Sequence, residues 1–276
     1  MVRLFLLALS MAASAGLSTP AAADETRDWT LTVETGPVWL SRNDVQIPND
    51  SSGDRFDLLK LTGQGADPYF RVHLAYQLSD KHSVSLLYAP LRTYGHGTLP
   101  SDVRFAGETF EAGGSVKGVY KFNTYRLGWR YHWPEHGDWK LSAGATLLVR
   151  DANVRLSQGT TSADDPDLGV VPLLSFQARR AFAQRWALEF DVEGLGAPQG
   201  RAIDAAVAVT YQLSPQLEGR LGYRTLEGGA DNDTVYTFAW AHYGLLGLGT
   251  ASRRAAGHHD LGSDPRTFDG VKCLGV

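Results

Sequence analysis

The sequence is short of what a stapled, helix-spanning or metal-dependent protein would need. Among 276 residues there is one cysteine, Cys273, so no internal disulfide can form. Beyond the N-terminal leader no stretch approaches the roughly 18 continuous apolar residues of a membrane-spanning helix, which excludes a helical membrane protein. Methionine is nearly missing, with two residues of which one is the initiator. No basic tract occurs and the formal net charge is −4, so nothing suggests nucleic-acid binding. HExxH, GxSxG, a phosphate-binding glycine loop and a cysteine pair are all absent, and neither a metal nor another cofactor is expected.

What is present begins with an export signal. Arg3 supplies a positive start, an apolar stretch runs from Leu4 to about Leu17, and Ala21-Ala22-Ala23 offers the small residues that a signal peptidase requires. Cleavage before Asp24 is predicted, making 1–23 a removable leader. Losing Arg3 leaves 25 basic against 30 acidic residues, a net charge of −5. The rest of the chain carries 30 glycines and 29 aromatic residues (11 Phe, 7 Trp, 11 Tyr), the materials of β structure with tight turns.

From Trp29 onward the apolar period is two. Trp139, Leu141, Ala143, Ala145, Leu147 and Val149 alternate with Lys140, Ser142, Gly144, Thr146, Leu148 and Arg150. Trp186, Leu188, Phe190 and Val192 alternate with Ala187, Glu189, Asp191 and Glu193, and Ile203 to Leu213 repeats the pattern. Alternate side chains of a strand lie on opposite faces, so each segment has one greasy face and one small or charged face. Ten strands are predicted, at 28–41, 67–79, 82–95, 117–133, 138–157, 168–183, 185–197, 201–213, 216–226 and 234–248. Eight and twelve stay open, because Phe56–Thr62 and Val103–Phe110 have the look of extra strands. Short turns alternate with longer polar links such as 41–67 and 95–117, as in barrels whose short turns share one rim.

Aromatic residues collect beside the short turns. Trp133 and Trp139 flank one, Phe182 and Trp186 the next, and Tyr211 precedes the last, all on the apolar parity. Rings with an apolar body and a polar tip settle at a membrane–water boundary, so these five read as one girdle. Trp39, Phe70, Tyr94, Tyr125 and Tyr223 would form the other. With leader, alternation, unequal turns and girdles, the chain resembles the small bacterial outer-membrane β-barrels over about 28–248. That resemblance implies an all-β, closed, antiparallel up-and-down transmembrane barrel spanning 24–250. It also implies location in the outer membrane of a Gram-negative cell, contact with lipid, insertion by the barrel-assembly machinery, and a monomer. Members of the class usually end on an aromatic-tipped strand, whereas this chain continues into a tail at 251–276, expected to be disordered. Pro90 and Pro172 are a second departure, because proline removes a ladder donor and a closed barrel has no edge to hide it.

The other parity gathers charge. Folding the strands as hairpins brings Arg179 near Glu189, and Glu193 near Asp204 with Arg220 and Arg224 beyond. Asp191 lies on the same face, and Arg126, Arg130 and Arg150 add positive charge on the opposite wall. In a narrow interior buried charges must pair, so the leading expectation is a salt-bridged filling with a structural or narrow-pore, porin-like role. One alternative is an outer-membrane hydrolase or lipid-modifying enzyme using Glu193, Asp204 and His73 or His96, but no catalytic residue can be assigned on sequence. Another is a soluble periplasmic barrel binding an apolar ligand, with every strand facing the opposite way.

Overall fold

The computed structural model describes residues 27–63 and 65–253. The leader and residues 254–276 of the expected tail lie outside them. The described residues form fourteen strands and one helical turn: β1 (Arg27–Gln46), β2 (Phe56–Asp57), α1 (Leu59–Thr62), β3 (Asp67–Ser79), β4 (His82–Ala89), β5 (Arg92–Thr98), β6 (Val103–Phe105), β7 (Glu108–Phe110), β8 (Ser115–His132), β9 (Trp139–Gln158), β10 (Thr161–Ala183), β11 (Trp186–Ala197), β12 (Gly200–Gln212), β13 (Leu217–Asp231) and β14 (Tyr236–Arg253). Strands β4 and β5 keep one register along β8, since Ala89 faces Thr124 and Arg92 faces Lys121, so they are one wall strand broken at Pro90-Leu91. Strand β2 merely lies against β1, and β6–β7 is a separate hairpin. The wall therefore has ten antiparallel strands, and β14 pairs with β1 to close it.

The register round the wall sets the tilt. Following paired residues from Trp29 leads through Tyr76, Val84, Trp129, Ala145, Leu174, Gly194, Ile203, Glu227 and Trp240 to Arg42, thirteen residues further along β1. A stagger of that size tilts barrel strands by roughly 35–45°. Apolar side chains cover the outside over the lower and middle wall: Leu174 is 65% exposed and Leu221 67%. The opposite parity faces the axis and carries the buried polar groups.

Several strands run beyond their expected ends. β1 extends to Gln46, β10 begins at Thr161, and β14 continues to Arg253, into the segment expected to start the tail. At the long-loop rim the inward face changes character. On β1 the inward Thr32 and Glu34 give way to Val38 and Leu40, and further apolar residues come in from β8 and β9. The link at 41–67 does not stand clear of the rim. It folds inward, with β2 on β1 and α1 against β5 and β8, and with Leu58, Leu59 and Leu61 buried under Phe105 and Phe110 of the β6–β7 hairpin. Of the two segments left open as extra strands, Val103–Phe110 is a hairpin, and Phe56–Thr62 is a two-residue strand followed by the helical turn. Glycine makes the seat. A Cβ on Gly97 would stand 2.1 Å from the Lys60 carbonyl oxygen, and one on Gly118 would stand 2.7 Å from Leu61 Cβ.

Both prolines find edges that an ideal closed wall would lack. β10 pairs with β11 only from Leu174 to Ala183, so the stretch from Thr161 to Leu173, with Pro166 and Pro172, is bonded to β9 alone. Pro90 sits where β3 has ceased pairing with β4, whose last partner is Tyr88. A missing donor costs a strand little where no neighbour accepts from it.

The glycine seat generates a test. Gly118→Leu should dislodge the inward loop by overpacking, at a cost of about 1–3 kcal/mol, while the ten-stranded wall persists. Trypsin should then cut faster at Arg55 and Lys60, with an unchanged β signal in circular dichroism.

Candidate functional site

The inner face carries one connected ladder of charge. It starts near the short-turn rim, where Arg179 bonds Glu218 and lies 3.3 Å from Glu189. Glu189 meets Arg220 at 2.5 Å, and Arg220 reaches Glu34 at 3.6 Å. Glu34 is shared by Arg224 at 3.2 Å and Arg71 at 3.8 Å. Both arginines pass on to Asp204, at 2.6 and 3.1 Å, and Arg126 approaches the same carboxylate at 2.7 Å. Arg126 Nη1 also donates to Glu193 at 2.7 Å. Glu193 lies 3.5 Å from Arg130, which forks onto Asp191 with two bonds of 3.0 Å. Six arginines and six carboxylates alternate, and the ladder is neutral.

Each rung is placed by strand parity. Glu193 and Asp204 face each other across β11–β12, a contact that would repel in isolation. Arg126, reaching across from β8, bridges the two. Asp204 is only 2% exposed and meets three guanidinium groups, the arrangement a carboxylate needs to stay charged away from water. Thr146 adds a hydroxyl bond to Glu193 at 2.9 Å. The ladder spans the lumen, tying β1 to β13 and β3 to β12.

The sequence-derived residues fall into place unevenly. Arg126, Arg130, Arg179, Glu189, Asp191, Glu193, Asp204, Arg220 and Arg224 all lie in the ladder. Arg150 does not: it bonds Asp167 higher on the β9–β10 wall, too far along its strand to reach the ladder. Glu34, Arg71 and Glu218 belong to the ladder and went unassigned. Their signal was the same parity rule, since Glu34 alternates with Val33 on a strand that starts with outward Leu31. His73 lies on the inward parity of β3 without a hydrogen bond to a carboxylate among the described residues, His132 bonds Ser83 at 2.7 Å, and His96 projects outward from β5. Among the described residues no group of three His, Cys, Asp or Glu could hold a metal ion.

The aromatic residues border the apolar belt. Trp133, Trp139, Phe182 and Trp186 are exposed beside the short turns, and Trp186 lies 4.5 Å from the ring of Tyr211. On the other border Tyr88 stacks on Tyr125 at 5.1 Å, and Tyr94, Tyr223 and Trp240 are exposed. One feature there escaped the sequence reading: Ser41, His242 and Tyr223 are joined by hydrogen bonds on the outer face. Ser41 and His242 lie two hundred residues apart and only closure brings them together.

This geometry defines a closed ten-stranded antiparallel barrel, the fold of small bacterial outer-membrane β-barrels, here with a charged filling and an apolar cap. OmpT, the outer membrane protease of Escherichia coli, superposes with a TM-score of 0.53 at 7% identity, over 84% of this chain and 99% of that one. AlkL (TM-score 0.41, 16% identity, 88% and 98% of the two chains) and Ail of Yersinia pestis (0.34, 12%, 82% and 100%) align more loosely. At 7% identity the likeness to OmpT is one of fold alone. No protein-family model and no curated protein matches the sequence.

The ladder predicts a sharp response to removal of one charge. Asp204→Asn leaves three buried arginines short of a carboxylate and should destabilise the barrel by about 3–5 kcal/mol, read from urea unfolding. Replacing the exposed Asp164, which bonds Arg155 outside the lumen, should cost under about 1 kcal/mol.

Proposed function

We propose that the chain is an exported barrel of the bacterial outer membrane, with a sealed lumen and a structural rather than pore-forming wall. The observation that carries this reading is the polarity across the wall: leucines such as Leu174 and Leu221 are largely exposed outside, while Asp204, Arg126 and Glu34 are buried inside. Only an apolar surround makes that arrangement favourable, since burying apolar surface in lipid gains roughly 25 cal/mol per Å². A soluble pouch would need every strand reversed, with apolar residues at the axis, and the exposed belt rules it out. Outer-membrane lipid is then the partner of the belt, and the barrel-assembly machinery the agent of insertion. Because β14 bonds to β1 of the same chain, one copy suffices to close the wall.

Two layers support closure over a narrow pore. The ladder crosses the axis with paired charges, and above it the inward loop fills the mouth with Leu58, Leu61, Phe105 and Phe110. An ion entering would have to part salt bridges and pass a dry apolar layer. A hydrolase built on the lumen acids has little support, because Arg126 bridges Glu193 and Asp204 and Arg130 forks onto Asp191, so the acids near His73 are already paired with arginines.

Two measurements test the reading. Leu221→Arg, at mid-belt, should cost about 2–4 kcal/mol of folding stability in lipid vesicles, and an undiminished stability would contradict lipid contact. In planar bilayers the purified protein should give no conductance steps. Sustained open steps would overturn the sealed lumen, and recovery of the protein in the soluble periplasmic fraction would overturn the membrane assignment.

A further inference from the structure

A sealed interior leaves the outer wall as the place for chemistry, and the seam between β1 and β14 holds the parts for it. In the β1–β14 ladder Leu40 faces Ala241 and Arg42 faces Trp240, so Ser41 has no partner of its own. Ser41 shares the outward parity of Trp39 and lies beside His242, the partner of Trp39, and the one-residue bulge turns Arg42 to that same face. Bulges commonly re-aim a side chain in this way. Ser41 Oγ lies 2.8 Å from His242 Nε2, and Tyr223 Oη lies 2.5 Å from His242 Nδ1. The imidazole is held in an aromatic frame, 5.6 Å from the ring of Trp39, 6.1 Å from Tyr223 and 5.4 Å from Trp240.

A nucleophile within hydrogen-bond reach of a base, and a third group orienting that base, is the arrangement that activates a serine. With its proton on Nδ1, His242 donates to the Tyr223 oxygen and leaves Nε2 free to accept from Ser41. The other serine–histidine contact, Ser83 with His132, has no group on the second ring nitrogen among the described residues and faces the lumen.

Position names the substrate class. Tyr223, Trp240 and Trp39 border the belt at its long-loop end, the depth at which aromatic side chains meet lipid headgroups and at which acyl esters lie. Arg42, the next residue after Ser41, pairs with Asp44 at 2.6 Å and has a half-exposed guanidinium lying 4.1 Å over the ring of Phe238, so the flank of the dyad is polar on the long-loop side. We propose that Ser41 and His242 form a nucleophile–base pair that cleaves acyl esters of lipids in the surrounding leaflet, with Tyr223 positioning the imidazole.

The step balances with water as the one co-reactant. Ser41 Oγ gives its proton to His242 Nε2 and bonds to the ester carbonyl carbon. The carbon–oxygen ester bond breaks, and the departing alkoxide takes that proton, leaving an acyl-serine and the free alcohol. Water then gives a proton to Nε2 and its oxygen to the carbonyl carbon. The Ser41 ester bond breaks with return of the proton to Oγ, and the fatty acid is released.

The inference rests on the membrane placement proposed above, and its test keeps the two apart. Heat-modifiable migration of full-length protein from the membrane fraction reads placement and folding. A fluorophosphonate probe and release of fatty acid from an ester phospholipid in mixed micelles read the chemistry. Folded wild type should be labelled at Ser41, located by mass spectrometry, and should hydrolyse the ester phospholipid but not its ether-linked analogue. Ser41→Ala should lose both signals, and His242→Gln should lower the rate by about 10²–10⁴-fold. Tyr223→Phe should lower kcat with KM unchanged, as a positioning role requires. Folded wild type that is unlabelled, labelled at another serine, active only on a soluble short-chain ester, or no faster than Ser41→Ala would overturn the proposal while leaving the membrane placement intact.

Discussion

The controlling constraint is that a closed sheet with an apolar outside must fill its own inside. Closure of β14 onto β1 leaves few backbone groups unpaired in the belt, the condition for any sheet that meets lipid. It also turns every second side chain toward a narrow axis from which water is largely displaced. Charges placed there must be matched, because an unpaired buried ion costs several kcal/mol. The alternation of six arginines with six carboxylates meets that requirement, and Asp204 at its centre serves three guanidinium groups at once. Arginine suits the task because its planar fork can bond two carboxylates, as Arg126 does with Glu193 and Asp204. The ladder also opposes slippage. A one-residue shift of any strand would turn its arginines outward to the belt and its leucines inward to the charges.

Height along the axis decides what the inner face holds. Beside the belt the inward side chains are ionic, while above it they become apolar, and the surface outside becomes polar as at Asp164 and Arg155. The upper part thus resembles a small soluble barrel with its own core, built from strand ends and the folded-in loop from Ile47 onward. Gly97 and Gly118 permit that loop to lie against the wall, and the free edge of β10 accommodates Pro166 and Pro172. Features that look like flaws in an ideal barrel mark where the wall ceases to be one.

The bulge at Ser41 is a departure of a different kind. It sits at the seam that closes the barrel, at the long-loop end of the apolar belt, and turns Arg42 outward next to the Ser41–His242 pair. Interior and exterior therefore divide the work. The charged interior fixes the shape, and the outer surface at the closing seam carries the hydrogen-bonded Ser41, His242 and Tyr223.

The chain's own order of residues determined the barrel, the strand parity and the side that each girdle ring takes, because a period of two forces alternate residues onto opposite faces whatever the neighbours are. It also supplied most of the charges of the ladder. Glu34 and Arg71 obey the same rule but lie on strands whose charged face is sparse, and Glu218 shares the parity of Arg220 and Arg224, so the part of all three became visible only across the lumen. Arg150 shares the parity yet stands above the ladder, because strand tilt sets height and height is not written in any one segment. The inward fold of the loop, the half-free edge that accepts Pro172, and the meeting of Ser41 with His242 were decided by tertiary structure alone. Each depends on segments far apart in the chain being brought together by closure and stagger, a long-range geometry that local alternation does not encode.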